Sequence, residues 1–359
     1  MSIYKGDNIK VEIFGQSHSQ EIGVKCKGFP KVEIDMQKFC KVMQRRKPSN
    51  AKFSTLRKET DQVEFTSGLV NNVIEGDFQA QIKNIDKKSQ DYKDLYGKPR
   101  PSHADYCSYL KDGNLDFSGG GRFSGRMTAP LCIAGAVADQ YLQDKGIRIY
   151  AYLQKVGSIE GQSYKQDINE KKLQQIKFGE DNSFPSLSNK EQMLNEIEKA
   201  QKQGDSVGAI CECVVLGFPQ GIGDCLFEGI EGKIANIVYS IPAVKGVEFG
   251  LGFEFANKLG SDANDQLFYE GDKIKTSTNN NGGINGGISN GMPIVFRVAF
   301  KPTPSIFKKQ KTVDLINKVN TEIIINGRHD SCVAVRAVPV VECVTAIALL
   351  DLILSKESN

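Results

Sequence analysis

The chain has 359 residues, 40% apolar and 25% charged, a globular composition and not a disordered one. Its 46 basic and 43 acidic groups leave a net charge of +3, so no broad basic field argues for nucleic acid as a partner. Nine cysteines without a C-x-x-C pair exclude a disulfide scaffold and a structural zinc site; no metal is expected, and free thiols in this number fit a reducing cytoplasm.

In chain order, MSIYKGDNIKVEIFG has no apolar signal core. Residues 11–14, 22–27 and 63–65 read as strands between Gly-rich turns. The spacing of Met36, Phe39, Cys40 and Met43 predicts a helix over 34–46, and 127–144 predicts a second, apolar nearly all round, with Pro130 in its first turn. Residues 154–206 are rich in Lys, Gln, Glu and Asn and read as a polar surface excursion from a single domain spanning 1–359. Within it, Ser188-Asn189-Lys190-Glu191 is a capping-box pattern opening a helix to about Gly204. Strands at 208–216, 243–249 and 294–300 and a helix at 230–241 follow. The Gly/Asn tract at 276–291 reads either as a mobile loop or as a functional one. Residues 337–354 are apolar enough to span a bilayer, but Pro339, Glu342 and Asp351 mark a buried core helix and not a membrane segment. Two helices apolar on every side imply an α+β core of helices covered by sheets.

The chemistry lies in how arginine and histidine are distributed. Only ten of the 46 basic side chains are arginine, and eight of those (Arg45, Arg46, Arg57, Arg100, Arg122, Arg126, Arg328 and Arg336) sit in a few Gly-, Ser- or Pro-rich segments. All three histidines, His18, His103 and His329, fall in the same kind of segment. Arginine is favoured where a planar fork must grip phosphate or carboxylate at two points. Each segment alone reads more easily as surface; together they predict one His-containing anion site. Gly119-Gly120-Gly121 before a helix lets backbone N–H groups approach an anion. His103 stands two residues before Asp105, a carboxylate that either sets its tautomer or ends a turn. No P-loop, no G-x-G-x-x-G, no G-x-S-x-G and no H-E-x-x-H is present, which disfavours an NTPase, a Rossmann site, a serine hydrolase and a zincin.

Ten segments in order carry a resemblance: FGQSHS (14–19), QRRKPS (44–49), RKETDQVEFTSG (57–68), RPSHADY (100–106), GGGRFSGRMTA (119–129), GDSVGA (204–209), SIPAVKGVEFG (240–250), NNGGINGGISNG (280–291), FKPTPSI (300–306) and GRHDSCVAVRAVPVVE (327–342). In this order and spacing the chain resembles the chorismate synthases, of bacterial type. The resemblance implies an anti 1,4-elimination of phosphate from 5-enolpyruvylshikimate 3-phosphate, giving chorismate in aromatic amino acid biosynthesis. It also implies dependence on reduced FMN without net redox change, a β-α-β sandwich with central helices between antiparallel sheets, and a homotetramer. Fungal members reduce their own flavin with NADPH. A chain of this length without an appended domain is expected to rely on a separate flavin reductase, with NADPH as the alternative reductant.

By motif, the resemblance places His18 as the acid for the departing phosphate and His103 as the acid that protonates reduced flavin. Asp330 falls at the carboxylate beside flavin N5, and Ser17 and Ser124 at hydroxyls of the same pocket. It assigns flavin contacts to Arg122, Phe123, Ser124, Pro242, Ala243, Gly286, Lys301, Pro302, Thr303, Pro304, Ser305 and Arg328. Substrate or NADPH contacts fall to Arg46 and Lys52, with Arg45, Arg57, Arg126 and Arg336 as further phosphate-gripping candidates. Departures from the pattern are Ser102 for the glycine of RPGH, Ser331 for the proline of HDPC, GRFSGRMTA for GRSSARETA, and Pro242 where some members have Asn. The alternatives are a non-catalytic flavin- or phosphate-binding protein and a flavin reductase-like oxidoreductase on the same fold.

Overall fold

Apolar side chains at alternate positions, Val11 and Ile13, then Ile22, Val24 and Cys26, demand one buried sheet face. The computed structural model, which describes residues 2–48, 61–84, 95–117, 119–164, 169–179, 184–325 and 329–358, builds that face. Strands β1 (Ser2–Lys5), β2 (Lys10–Gly15) and β3 (Glu21–Glu33) precede helix α1 (Met36–Arg46), and the hairpin β4 (Val63–Val70) and β5 (Val73–Lys83) follows it. The five strands form an antiparallel sheet in the order β1-β2-β3-β5-β4. Helix α1 starts two residues later than the periodicity predicts. Asp35 is its N-cap, accepting the N–H groups of Gln37 and Lys38, while the Ile34 N–H is taken by the Asn72 carbonyl at 2.7 Å.

After α2 (Asp105–Asp112), two 3₁₀ turns at Gly121–Phe123 and Gly125–Met127 lead into α3 (Thr128–Asp144). Strands β6 (Arg148–Val156) and β7 (Ile159–Glu160) are followed by α4 (Glu170–Phe178), α5 (Lys190–Lys202), β8 (Ala209–Leu216), α6 (Ile230–Val238) and β9 (Val244–Phe249). A peripheral run holds α7 (Gly260–Ala263) and the hairpins β10 (Leu267–Glu270) with β11 (Lys273–Thr276) and β12 (Ile284–Asn285) with β13 (Ile288–Ser289). Strand β14 (Ile294–Phe300), the hairpin β15 (Gln310–Asp314) with β16 (Val319–Ile323), and α8 (Ala334–Ser358) complete the described elements. The second sheet is antiparallel with order β7-β6-β8-β14-β9.

Helices α3 and α8 pack on each other between the sheets, α3 against β3 and α8 against β6 and β8. The expected layering of sheet, helices and sheet is therefore observed. The α8 stretch is long and apolar enough to cross a membrane, yet it is almost wholly buried inside the protein. Two of its three acidic residues, Glu342 and Asp351, have internal roles. Asp351 accepts the N–H groups of Asp7, Asn8 and Ile9 at 2.8–3.1 Å, and Glu342 meets Arg45. At the crossing of α3 and α8 a Cβ on Gly135 would overlap the backbone and Cβ of Cys343. Gly135→Ala is therefore expected to destabilise the protein by about 1–3 kcal/mol through overpacking, against an alanine gain in helix propensity of ~1 kcal/mol. Urea unfolding checks this, and a neutral or stabilised variant would contradict the close approach.

Three readings need correction. The 154–206 excursion is not merely solvent-facing. Inward residues of β6 and β8 (Ile149, Ala151, Cys211, Cys213) join the central core, while outward Tyr150, Tyr152 and Val214 form a second cluster with Leu173 of α4. Lys177 of α4 reaches in to buried Asp139 at 2.8 Å. Helix α4, capped by Asn169, was not foreseen. The capping box does not form at α5. Asn189 adopts φ +54, its side chain donates to the Glu160 carbonyl, and Ser188 Oγ accepts from Gln162 N–H instead. The Gly/Asn tract is pinned and not loose, since Asp265 accepts the Asn280 and Asn281 N–H groups at 2.7 and 2.9 Å.

Candidate active site

The loop after β2, the 3₁₀ turns before α3, the segment after β14 and the turn before α8 converge on one side of the helical layer. They enclose a basin of about 1040 Å³, roomy enough for more than one small ligand.

Arg46, Arg126 and Asp61 form its buried cationic wall. Both Oδ atoms of Asp61 are used: Oδ2 accepts Arg46 Nε and a terminal nitrogen at 3.0 and 2.6 Å, and Oδ1 pairs with Arg126. Arg126 Nε also donates to Asn84 at 3.1 Å. Burial would raise the Asp61 pKa, but the two guanidiniums outweigh it and hold it below the ordinary carboxylate value. Two arginines on one carboxylate leave positive charge facing the basin, the balance a phosphate needs.

His103 also lines the basin. Its Nδ1 lies 2.5 Å from Asp105 Oδ1, and Asp105 is gripped by the buried Arg100 through Nε at 2.7 Å and a terminal nitrogen at 2.8 Å. Burial and the nearby Arg100 and Lys301 lower the His103 pKa, only partly opposed by Asp105. Burial of Asp105 is overridden by hydrogen bonds from Arg100 and His103, which bring it down to about 2 from the ordinary 3.8. Both shifts have the same consequence for stability. Between 6.5 and its lowered value His103 binds protons more readily in the unfolded chain, and between about 4 and 2 so does Asp105. Stability therefore declines as pH falls through both windows. The Asp105 contribution, about 2 kcal/mol, is expected to vanish in Asp105→Asn. The variant and the parent should thus differ at pH 7 and converge near pH 2 in denaturant titrations.

Asp330 joins the basin wall through Arg336, which donates to it at 2.8 Å and to the Arg46 carbonyl at 3.2 Å. Arg328 lies outside the described residues, as do Lys52 and Arg57. Ser124, Arg122, Phe123, Pro242, Ala243, Lys301, Thr303, Pro304 and Ser305 all line the basin. Lys301 N–H donates to the Ala243 carbonyl at 2.9 Å, tying two of these segments together, and its ammonium donates to the Ser102 carbonyl. Ser102 has φ +56, a conformation natural to the glycine it replaces.

His18 and Ser17 sit one layer behind the lining. The Ser17 N–H donates to the Gly121 carbonyl at 3.2 Å, and the His18 ring packs so closely on Gly119 that a Cβ there would overlap its Nε2. His329 lies on the basin wall, its ring centroid 6.4 Å from that of Phe307. Three expected residues are elsewhere. Arg45 turns inward to Glu342, Gly286 forms the exposed turn between β12 and β13, and Pro302 faces Gly208. Arg100 was expected only as one of the clustered arginines, without a role of its own, and Asp61 was not among the expected site residues. Their only sequence signal was position, Arg100 within the turn that carries His103 and Asp61 just after the Arg57 segment.

Comparisons with known proteins bear on the family and the fold. The chorismate synthase family model matches residues 9–354. The chain belongs to the chorismate synthase family. A chorismate synthase of Thermococcus gammatolerans is 41% identical over 358 residues, covering 99% of this chain and 98% of its own. One of Methanocaldococcus jannaschii is 43% identical over 361 residues, covering 97% and 95%. A crystal structure of a chorismate synthase superposes with a TM-score of 0.75 at 25% identity, covering 98% of this chain and 93% of that one. As a chorismate synthase family member the chain is a phosphate-eliminating carbon–oxygen lyase of aromatic amino acid biosynthesis, acting on a small-molecule substrate. The non-catalytic and reductase-like alternatives are not favoured.

Proposed function

We propose that the basin eliminates phosphate from 5-enolpyruvylshikimate 3-phosphate with His18, His103 and Asp330 as its reacting side chains and reduced FMN as its cofactor. The observation that carries this reading is the meeting, in one cavity, of the Arg46–Asp61–Arg126 wall, the His103–Asp105 couple and the Asp330–Arg336 pair. Flavin fits the residues present. Among the described residues, the buried hydroxyls Ser17 Oγ and Thr303 Oγ1 have no hydrogen-bond partner, and Thr303 lines the cavity beside the cationic Lys301 and Lys245. Such hydroxyls and cations suit the polar edge and phosphate of a flavin nucleotide. Ser124, Arg122, Phe123, Pro242, Ala243 and Ser305 would hold it, with Arg328 by motif. When bound, the reduced flavin supplies the electron density and hydrogen acceptance that the C–H side of the elimination requires.

The chain's own residues do the rest. Arg46 and Arg126 stabilise the charge that grows on the departing phosphate, in a water-poor wall where such donors act strongly. His18 delivers a proton to the phosphate oxygen, and His103 holds a proton against the flavin. Asp330, oriented by Arg336, would act as a proton acceptor beside a bound flavin. Arg336 adds to the anion grip, to which the motif assigns Lys52 and Arg57. The whole chain is read as one catalytic domain, acting in the cytoplasm. Exposed Phe227, Phe253, Leu259 and Tyr269 support assembly into a homotetramer. A separate flavin reductase is the expected source of electrons, with NADPH alone as the rival.

The deciding experiment is an anaerobic assay of chorismate and phosphate release, with FMN reduced by dithionite and, separately, with FMN and NADPH alone. Turnover with dithionite is expected, together with none from NADPH alone. Absence of turnover with chemically reduced FMN would defeat the assignment of the basin, and turnover with NADPH would remove the need for an outside reductase.

A further inference from the structure

The Arg100 guanidinium has only donors, and so has an imidazole nitrogen that carries a proton. His103 Nδ1 lies 2.5 Å from Asp105 Oδ1 and 3.2 Å from an Arg100 terminal nitrogen. It cannot bond both. A bare Nδ1 would accept from Arg100 but would then set its lone pair against a carboxylate oxygen at 2.5 Å. A protonated Nδ1 donates to that carboxylate and merely passes Arg100 at a longer distance. The shorter contact and the charge of Asp105 select the second arrangement.

Asp105 is itself fixed. Its Oδ2 accepts the Arg100 backbone N–H at 3.0 Å and Nε at 2.7 Å, and its Oδ1 accepts the terminal nitrogen at 2.8 Å. That same terminal nitrogen donates to the Gly119 carbonyl at 2.6 Å, and Gly119 is the residue on which the His18 ring packs. One buried guanidinium thus braces the wall that carries His103 and the turn that backs His18.

We propose that Arg100 and Asp105 are a positioning pair that fixes His103 as its Nδ1–H tautomer, leaving Nε2 as the atom that exchanges protons with the basin. The pair rests on the reading of His103 as an acid only for its catalytic meaning; the tautomer itself is independent of that reading. Arg100 also sets the place of the turn behind His18, so its loss reaches both histidines while loss of Asp105 reaches one.

The test uses the full-length protein labelled with ¹⁵N-histidine. The chain has three histidines, so His18→Ala and His329→Ala variants assign all the imidazole signals. Above its titration, the wild-type His103 is expected to show a pyrrole-type Nδ1 and a pyridine-type Nε2. Asp105→Asn should mix or reverse these and lower kcat by about 10²-fold with KM little changed. Arg100→Lys should in addition shift the His18 signals, which Asp105→Asn leaves in place. A wild-type His103 with a pyridine-type Nδ1 overturns the proposal without any variant, and so does an Asp105→Asn protein that keeps both tautomer and kcat. A reversed tautomer with unchanged kcat upholds the positioning pair and instead removes the acid role of His103.

Discussion

Alanine at His103 or at His18 is expected to lower kcat by about 10²–10⁴-fold with chemically reduced FMN, the range for loss of a general acid. Folding should survive both changes, since His103 and His18 are both only partly buried. The pH dependence separates the two states of the enzyme. Without ligand, burial, Arg100 and Lys301 keep the His103 pKa below its ordinary 6.5 in spite of Asp105. The charged form that can donate a proton is therefore scarce in the free enzyme at neutral pH. Substrate phosphate and reduced flavin are both anionic and raise the pKa on binding. The profile of kcat/KM should accordingly fall on the alkaline side at a lower pH than that of kcat, because the first reports the free enzyme and the second the complex. Steady-state kinetics of both variants and of the parent across pH check this. Wild-type turnover in both alanine variants would end the acid assignments; an alkaline limb at the same pH in both profiles would end the argument from ligand charge.

Much of this layout was legible in the sequence where the signal was local. The core helices announced themselves because Leu131–Val137 and the stretch after Ala337 have no polar face, and no other environment suits such segments. The strands with alternating burial were visible for the same reason. Long-range pairing was not. Nothing local tells β14 to insert between β8 and β9, or β5 to sit between β3 and β4. Helix α4 was hidden because its value lies in what it covers, the outer face of β6, and its charged residues masked Leu173, its one buried apolar side chain. In the site, clustering of Arg and His pointed to the right turns, and Asp105 was visible from its place two residues after His103, yet Asp61 was not. Asp61 and Asp105 matter through what they touch, and Asp61 reaches Arg126 across 65 positions of chain.

Arg45 shows the limit most plainly, and its substitution should have the largest effect on stability. Adjacent residues on a helix point about 100° apart, so Arg45 and Arg46 cannot serve the same site. Arg46 faces the basin, whereas Arg45 is directed at α8, where its two terminal nitrogens meet Glu342 at 2.5 and 3.0 Å. Both side chains are under 5% exposed, and Glu342 also accepts the Ala151 N–H at 3.0 Å, joining α1, α8 and β6. The Arg45 pKa is raised because the Glu342 charge and hydrogen bonds outweigh burial, so the pair is ionic in the folded core. Removing one partner strands the other charge out of water, at a cost of about 3–5 kcal/mol. Arg45→Met should lose that much in urea unfolding at pH 7, while the fraction that remains folded keeps the parental KM for substrate. Arg45→Met with Glu342→Leu should recover a large part of the loss, because an apolar pair of similar volume needs no counter-charge. A single variant with unchanged stability and a raised KM would return Arg45 to the substrate site and refute the inward geometry.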